Sequence, residues 1–224
     1  MKRGIILAGW AGLALLAAIP LRAAETTLYS AKSGSKMRIE GTSNVHDWQA
    51  ESPFIGGFLE AGPDFPQEPD QKINPGKVNG RVEVFVRVKA LNSVTKDGKP
   101  YENKMDEVMW ENLKVEQCPQ ILYRSSELAL KEAPKSKDAP YLLDSKGDLL
   151  VAGVTNKVSL PVSVLPLGDK KLKISGSISV KMTDFGIKPI EKDLVVFKIK
   201  TGDEVKLSFD WMLWQKPPAA GAKK

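Results

Sequence analysis

The chain has 224 residues, 42% hydrophobic and 27% charged, with one cysteine, one histidine and a formal charge of +6. That charge is terminal: setting aside Lys2, Arg3, Arg22, Lys216, Lys223 and Lys224 reduces 33 basic residues to 27, equal to the 27 acidic ones. A neutral body, with no interleaving of aromatic and basic residues, excludes the cationic stripe that nucleic acid requires. The lone cysteine has no partner for an internal disulfide.

In chain order, Lys2 and Arg3 precede an uncharged run from Gly4 to Leu21, broken by Pro20 and followed by Ala23 and Ala24. This is the layout of a secretory signal peptide over residues 1–23. Gly9, Gly12 and Pro20 make the run a poor permanent span. The expected location is the periplasm, or the exterior where the host lacks an outer membrane. The remainder divides into a single domain over residues 24–214 and a disordered Pro/Ala/Lys tail over 215–224.

Weak strand signals lie at Met37–Glu40, Val45–Ala50 and Phe54–Glu60. The Pro-rich stretch Gly62–Gly76 reads as a long surface loop, functional or mobile. Val82, Val84, Val86 and Val88 then alternate with Arg81, Glu83, Phe85, Arg87 and Lys89, the period of a half-buried strand. Tyr101–Leu113 breaks the pattern, placing Met105, Val108, Met109 and Leu113 at helical spacing. Further weak strands are expected at Ile121–Leu130, Tyr141–Leu143 and Asp148–Val151, with a Lys/Pro loop at Ala133–Pro140 between the first two. Val158, Leu160, Val162 and Val164 form a second stripe. Pro161 lacks the ladder N–H, which places this strand at an edge or a bulge. Leu172, Ile174, Gly176, Ile178, Val180 and Met182 form a third stripe. A weak strand at Leu194–Lys200 precedes a fourth stripe of Val205, Leu207, Phe209, Trp211 and Leu213.

Many strands with one apolar face and a single short helix must cover themselves, as a sandwich or a closed barrel. Closure also removes exposed strand edges. The expected fold is all-β, an extended antiparallel barrel of about eight strands, whose interior is either filled or able to hold one small ligand. The helix caps one mouth. Medium-sized inward residues leave room for a dry, elongated void, while the same periodicity also suits a packed core.

Four segments carry a resemblance. They are Met37-Arg38-Ile39-Glu40-Gly41-Thr42-Ser43-Asn44-Val45-His46-Asp47-Trp48, then Met109-Trp110-Glu111-Asn112-Leu113-Lys114 with Cys118-Pro119-Gln120-Ile121. Gly147-Asp148-Leu149-Leu150-Val151-Ala152-Gly153-Val154-Thr155 and Met182-Thr183-Asp184-Phe185-Gly186-Ile187 complete the set. In this order, between about Leu28 and Leu213, they resemble the YceI-like family. The resemblance implies a lipocalin-like barrel whose tunnel holds a polyisoprenoid or similar amphiphile in the bacterial periplasm. Better-known members carry a His-Ser pair where this chain has Gly34 and Ser35, and an Arg where it has Met182. Both departures remove polar groups, so head-group recognition does not carry over.

The expected ligand contacts are the inward stripe residues Val84, Val86, Val88, Leu160, Val162, Ile174, Ile178, Val180, Leu207 and Phe209, with Phe185. Trp48, Met105, Met109 and Trp110 either form an adaptable tunnel mouth or pack in the core. His46, the sole histidine, either pins a hairpin with Asp47 and Trp48 or contacts a ligand head group. It has no nucleophile elbow beside it and too few partners for a metal. Asp184 is expected to organise the turn before Gly186, and Cys118 to pack as a small apolar residue. The functional expectation is a binding protein without catalysis, metal or cofactor. Its partner is an isoprenoid or fatty-acyl lipid, with transient membrane contact at most and a homodimer compatible with the sequence. The alternative is a filled, stress-related barrel that acts through its surface.

Overall fold

A computed structural model of the chain describes residues 26–101, 105–193 and 198–217. The expected signal peptide and most of the expected tail lie outside them, as does the first part of the Leu194–Lys200 strand. The strands are β1 (Thr27–Ala31), β2 (Lys36–Ser43), β3 (Trp48–Ser52), β4 (Gly56–Ala61), β5 (Gly76–Val78), β6 (Gly80–Arg87) and β7 (Asn92–Val94). A helix, α1 (Met105–Asn112), leads to β8 (Gln120–Glu132), β9 (Tyr141–Val151), β10 (Val154–Gly168), β11 (Lys171–Lys181), β12 (Glu191–Asp193) and β13 (Lys198–Gln215).

Eight strands form a closed antiparallel ring in the order β1-β4-β6-β8-β9-β10-β11-β13, and β1 pairs back to β13. The 18-residue β13 makes closure feasible by serving two partners on one side. Its last turn of ladder pairs with β1, Tyr29 opposite Gln215 and Ala31 opposite Leu213. Its middle pairs with β2, Leu207 opposite Ile39 and Phe209 opposite Met37. From β2 the wall continues through β3 to β7. Gly34 and Ser35 make the corner between β1 and β2. The Ser35 hydroxyl donates to the Lys32 carbonyl at 3.1 Å and accepts the Met212 N–H at 3.0 Å. These two residues therefore satisfy a backbone corner, not the lumen.

Four expectations shift. The first stripe ends as a strand at Arg87; Val88 starts a short 3-10 turn. The strand carrying Pro161 lies within the ring, paired to β9 on one side, but Pro161 stands just where its pairing to β11 stops, a local edge, and the register irregularity lies at Pro166/Gly168. Two residues of the expected tail belong to the barrel wall: Gln215 pairs with Tyr29 and the Lys216 N–H reaches the Leu28 carbonyl. The loop after β4 is an ordered plug, not a loose excursion. Phe65, 1% exposed, closes one end of the barrel. The Asp64 carboxylate accepts two N–H bonds from Asn79. The Tyr141 hydroxyl donates to the Gln71 carbonyl at 2.7 Å, and the Gln71 amide donates back to Pro63. A plug with its polar groups paired this way costs little to bury.

Candidate functional site: an apolar lumen in two lobes

The lumen is not packed solid. An upper lobe of about 120 Å³ lies under the Phe65 plug, and a lower lobe of about 410 Å³ reaches the opposite mouth. Ile121, Leu149 and Leu207 line both and form the waist where they meet. Val84, Val86, Leu160, Val162, Ile174, Ile178 and Phe209 line the upper lobe. Trp48, Met105, Met109, Val180, Phe185 and His46 line the lower one.

Val88 and Trp110 line neither lobe. Val88 is 1% exposed, packed in the core behind the wall at the 3-10 turn. Trp110 instead fastens the helix: its indole N–H donates to the Leu91 carbonyl at 2.8 Å. Asp106 does the same from the first turn, accepting the Ser93 N–H at 2.6 Å. These two bonds hold α1 against the end of the wall formed by β7. Met105 and Met109 face the lower lobe from there.

Openness depends on where the aromatic rings lie. Gly176 sits opposite Phe209 on β13, where a Cβ would stand 2.9 Å from the ring's Cζ. Gly147 likewise leaves room for the Tyr123 ring, which a Cβ there would meet at 2.8 Å. Each glycine lets a ring lie along the wall instead of crossing the lumen. The Tyr123 hydroxyl is paired with Ser145 at 2.5 Å. Burial pushes the Tyr123 phenol above its ordinary value, so it stays neutral. The upper lobe therefore offers a ligand hydrocarbon surface and no free charge.

The lower mouth is mixed. Lys96, Asp47, His46, Thr95 and Tyr101 stand there with exposed Val45. His46 is part of a hydrogen-bonded hairpin. Its N–H donates to the Ser43 hydroxyl at 3.1 Å, and that hydroxyl donates to the His46 carbonyl at 2.6 Å. The ring's Nδ1 donates to the Asp47 backbone carbonyl at 2.8 Å, so the two side chains form no acid–base relay. The Trp48 indole donates to the Thr42 carbonyl, laying the ring over Gly41. Among the described residues no cluster of His, Cys, Asp or Glu is placed to hold a metal ion. The turn before Gly186 is held by Asp203, not by the Asp184 side chain: its carboxylate accepts the Thr183 N–H at 2.9 Å and hydroxyl at 2.7 Å.

Sequence reasoning missed the linings contributed by β8 and β9, namely Ile121, Tyr123, Leu128, Leu143, Ser145 and Leu149. The β8 stripe changes parity at the irregularity between Ser125 and Glu127. The β9 stripe contains Ser145 and Gly147, which hide its alternation. Phe65 gave no signal, because a loop residue has no period.

The sequence profile of the YceI-like domain matches residues 33–213. No curated protein matches the chain in sequence. Among solved structures, BcnA of Burkholderia cenocepacia is similar at TM-score 0.56 and 16% identity, over 80% of this chain and 95% of that one. A polyisoprenoid-binding domain from Saccharophagus degradans, implicated in plant cell wall breakdown, is similar at TM-score 0.56 and 10% identity, over 84% and 98%.

Proposed function

Because the chain belongs to the YceI-like family, we propose that it is an exported, non-catalytic protein holding a polyisoprenoid or acyl chain in its lumen for carriage or sequestration. The observation that carries this reading is the apolar lumen running from the Phe65 plug through the waist to the lower mouth. The similar Saccharophagus domain, described as polyisoprenoid-binding, adds support. The charged n-region and uncharged run at the N-terminus support export.

The physics permits binding without a head-group contact. Along β10 the upper lining runs from Val158 to Val164, roughly 20 Å of strand at about 3.3 Å per residue. Each buried methylene contributes about 0.8 kcal/mol. Two or three isoprene units bring roughly 8–12 kcal/mol before ordering and lost translation offset part of it. Micromolar binding needs about 8 kcal/mol. Selectivity is then for length and width, since an aliphatic wall separates prenyl from acyl chains poorly. Exposed Val45, Tyr101 and Met105 at the mouth suit brief contact with a lipid surface.

Native mass spectrometry of protein purified from its own host tests the reading. A lipid mass that leaves on activation is expected. Protein that emerges empty, and also ignores added prenyl alcohols and fluorescent fatty acids, refutes it and favours a barrel acting through its surface.

A further inference from the structure

The ring of strands is hydrogen-bonded all round, but one seam is only half closed. β10 pairs with the whole of β9, from Val154 opposite Val151 to Val164 opposite Tyr141. β11 pairs with β13 from Lys171 opposite Trp214 to Lys181 opposite Glu204. Between β10 and β11, however, the ladder runs only from Gly168 opposite Lys171 to Val162 opposite Gly176. Beyond it, Val154–Pro161 and Ser177–Lys181 have a strand partner on one side only.

The sequence explains why the seam opens there. Pro161 has no N–H to donate, and Gly176 is the last paired residue on the other strand, where a side chain would meet Phe209 and the Pro161 carbonyl. The lower end of the opening is tied. The Asn156 amide donates to the Asp184 carbonyl at 2.8 Å, across to the 3-10 turn Met182–Phe185 that follows β11. The unpaired stretch between these limits is about five residues long on each strand, or roughly 16 Å.

Burial beyond the ladder is mixed. The inward residues Val162, Val164, Leu172 and Ile174 are buried where the ladder is intact, and Leu160, just past its end, is still buried. Val154, Val158, Ile178 and Val180, inward on the same strands, are only half-buried. Leu207 and Phe209 on the paired strand β13 are half-buried too, because they face the lumen, so the opening is marked by the end of the ladder and not by burial. Val158 and Ile178 line the upper lobe and Val180 the lower one, so the opening spans the waist. Outside stand the small, exposed Ser159, Ser177 and Ser179, flanked by exposed Lys157, Pro161 and Lys181.

We propose that this seam is a lateral portal for the ligand, an inference that rests on the lipid-binding reading above. A hydrocarbon chain passes sideways between β10 and β11 and settles into both lobes together. Threading from the lower mouth would instead carry the part that fills the upper lobe endwise past Ile121, Leu149 and Leu207. The unpaired backbone groups of the two strands and the three serine hydroxyls remain hydrated at rest. The Asn156–Asp184 bond is the sill that limits the opening.

Continuing the observed register places Ser159 opposite Ser179. In a Cys118→Ser background, Ser159→Cys with Ser179→Cys is bridged by bismaleimidoethane, and binding of cis-parinaric acid is followed by stopped-flow fluorescence. Bridging is expected to slow association and dissociation alike, tenfold or more, with Kd unchanged within twofold. The same variant alkylated singly at each thiol keeps the original rates. Binding at unaltered rates in the bridged protein overturns the portal and leaves the lipid reading standing. An unbridged protein that binds no lipid overturns both. Hydrogen exchange on the ligand-free protein provides an arm independent of any ligand. Amides in 155–160 and 177–181 that face the seam should exchange far faster than those in 162–165 and 171–176. Uniform protection along both strands overturns the opening itself.

Discussion

Val84→Phe separates an open lumen from a packed one. Val84 lies in β6, paired to Gly57 on one side and Tyr123 on the other. A residue so enclosed is nevertheless only half-buried, because its side chain faces the upper lobe. An empty cavity of about 120 Å³ costs roughly 3 kcal/mol at about 24 cal/mol per Å³. A ring that fills about half of it recovers ~1.5 kcal/mol, which raises Tm by about 3–6 °C for a domain of this size. In a packed core the same substitution forces strain and costs about 1–3 kcal/mol. The two cases therefore differ in the sign of the shift. The ring also displaces about four methylenes of any bound chain, roughly 3 kcal/mol, which weakens Kd by about two orders of magnitude. Calorimetric melting of delipidated protein and a fluorescence titration with cis-parinaric acid read the two effects. A lower Tm together with unchanged affinity would show that ligand and ring do not compete for this space.

Three further outcomes follow from the geometry. Phe65→Ala removes the buried plug and should cost about 3–5 kcal/mol by chemical denaturation; a loss below about 1 kcal/mol would mean the loop does not seal the barrel. Trp110→Phe removes the bond to Leu91 and should lower stability by about 1 kcal/mol, with faster amide exchange in α1 and none in β9; unchanged exchange in α1 would show that the helix is held otherwise. Acid should unfold the protein from below the ordinary carboxylate range. Burial works against ionisation of Glu51, yet Lys36 and Arg38 outweigh it and hold its carboxyl below the usual value. Burial is likewise outweighed at Asp210 by Ser175 and Lys173, and the Thr183 hydroxyl and N–H lower Asp203. Groups depressed in the folded state stabilise fully above their unfolded values, about 4, and that stability is lost as pH falls through the folded ones. Tm is thus expected to hold from about pH 8 to 5 and to drop below about 4; a main drop between pH 7 and 5 would assign acid lability to other groups.

The sequence by itself determined the strands, because alternation of apolar and polar residues depends only on neighbours two apart. The stripes around Val84, Val162, Ile174 and Leu207 appear where expected, as does the single helix. The four ordered motifs also pointed to the family. Tertiary structure alone decided what surrounds the lumen and where it is closed. Whether β13 splits its pairing between β1 and β2 is a matter of register between strands far apart in the chain, and where the ladder of the β10–β11 hairpin stops depends on how the two strands diverge across the barrel. No local period encodes them. Val88 and Trp110 show the same limit: each has the right chemistry for a ligand wall, but a 3-10 turn turns one away and a backbone carbonyl engages the other. The void itself depends on rings lying flat over Gly147 and Gly176, contacts made across paired strands and not along one.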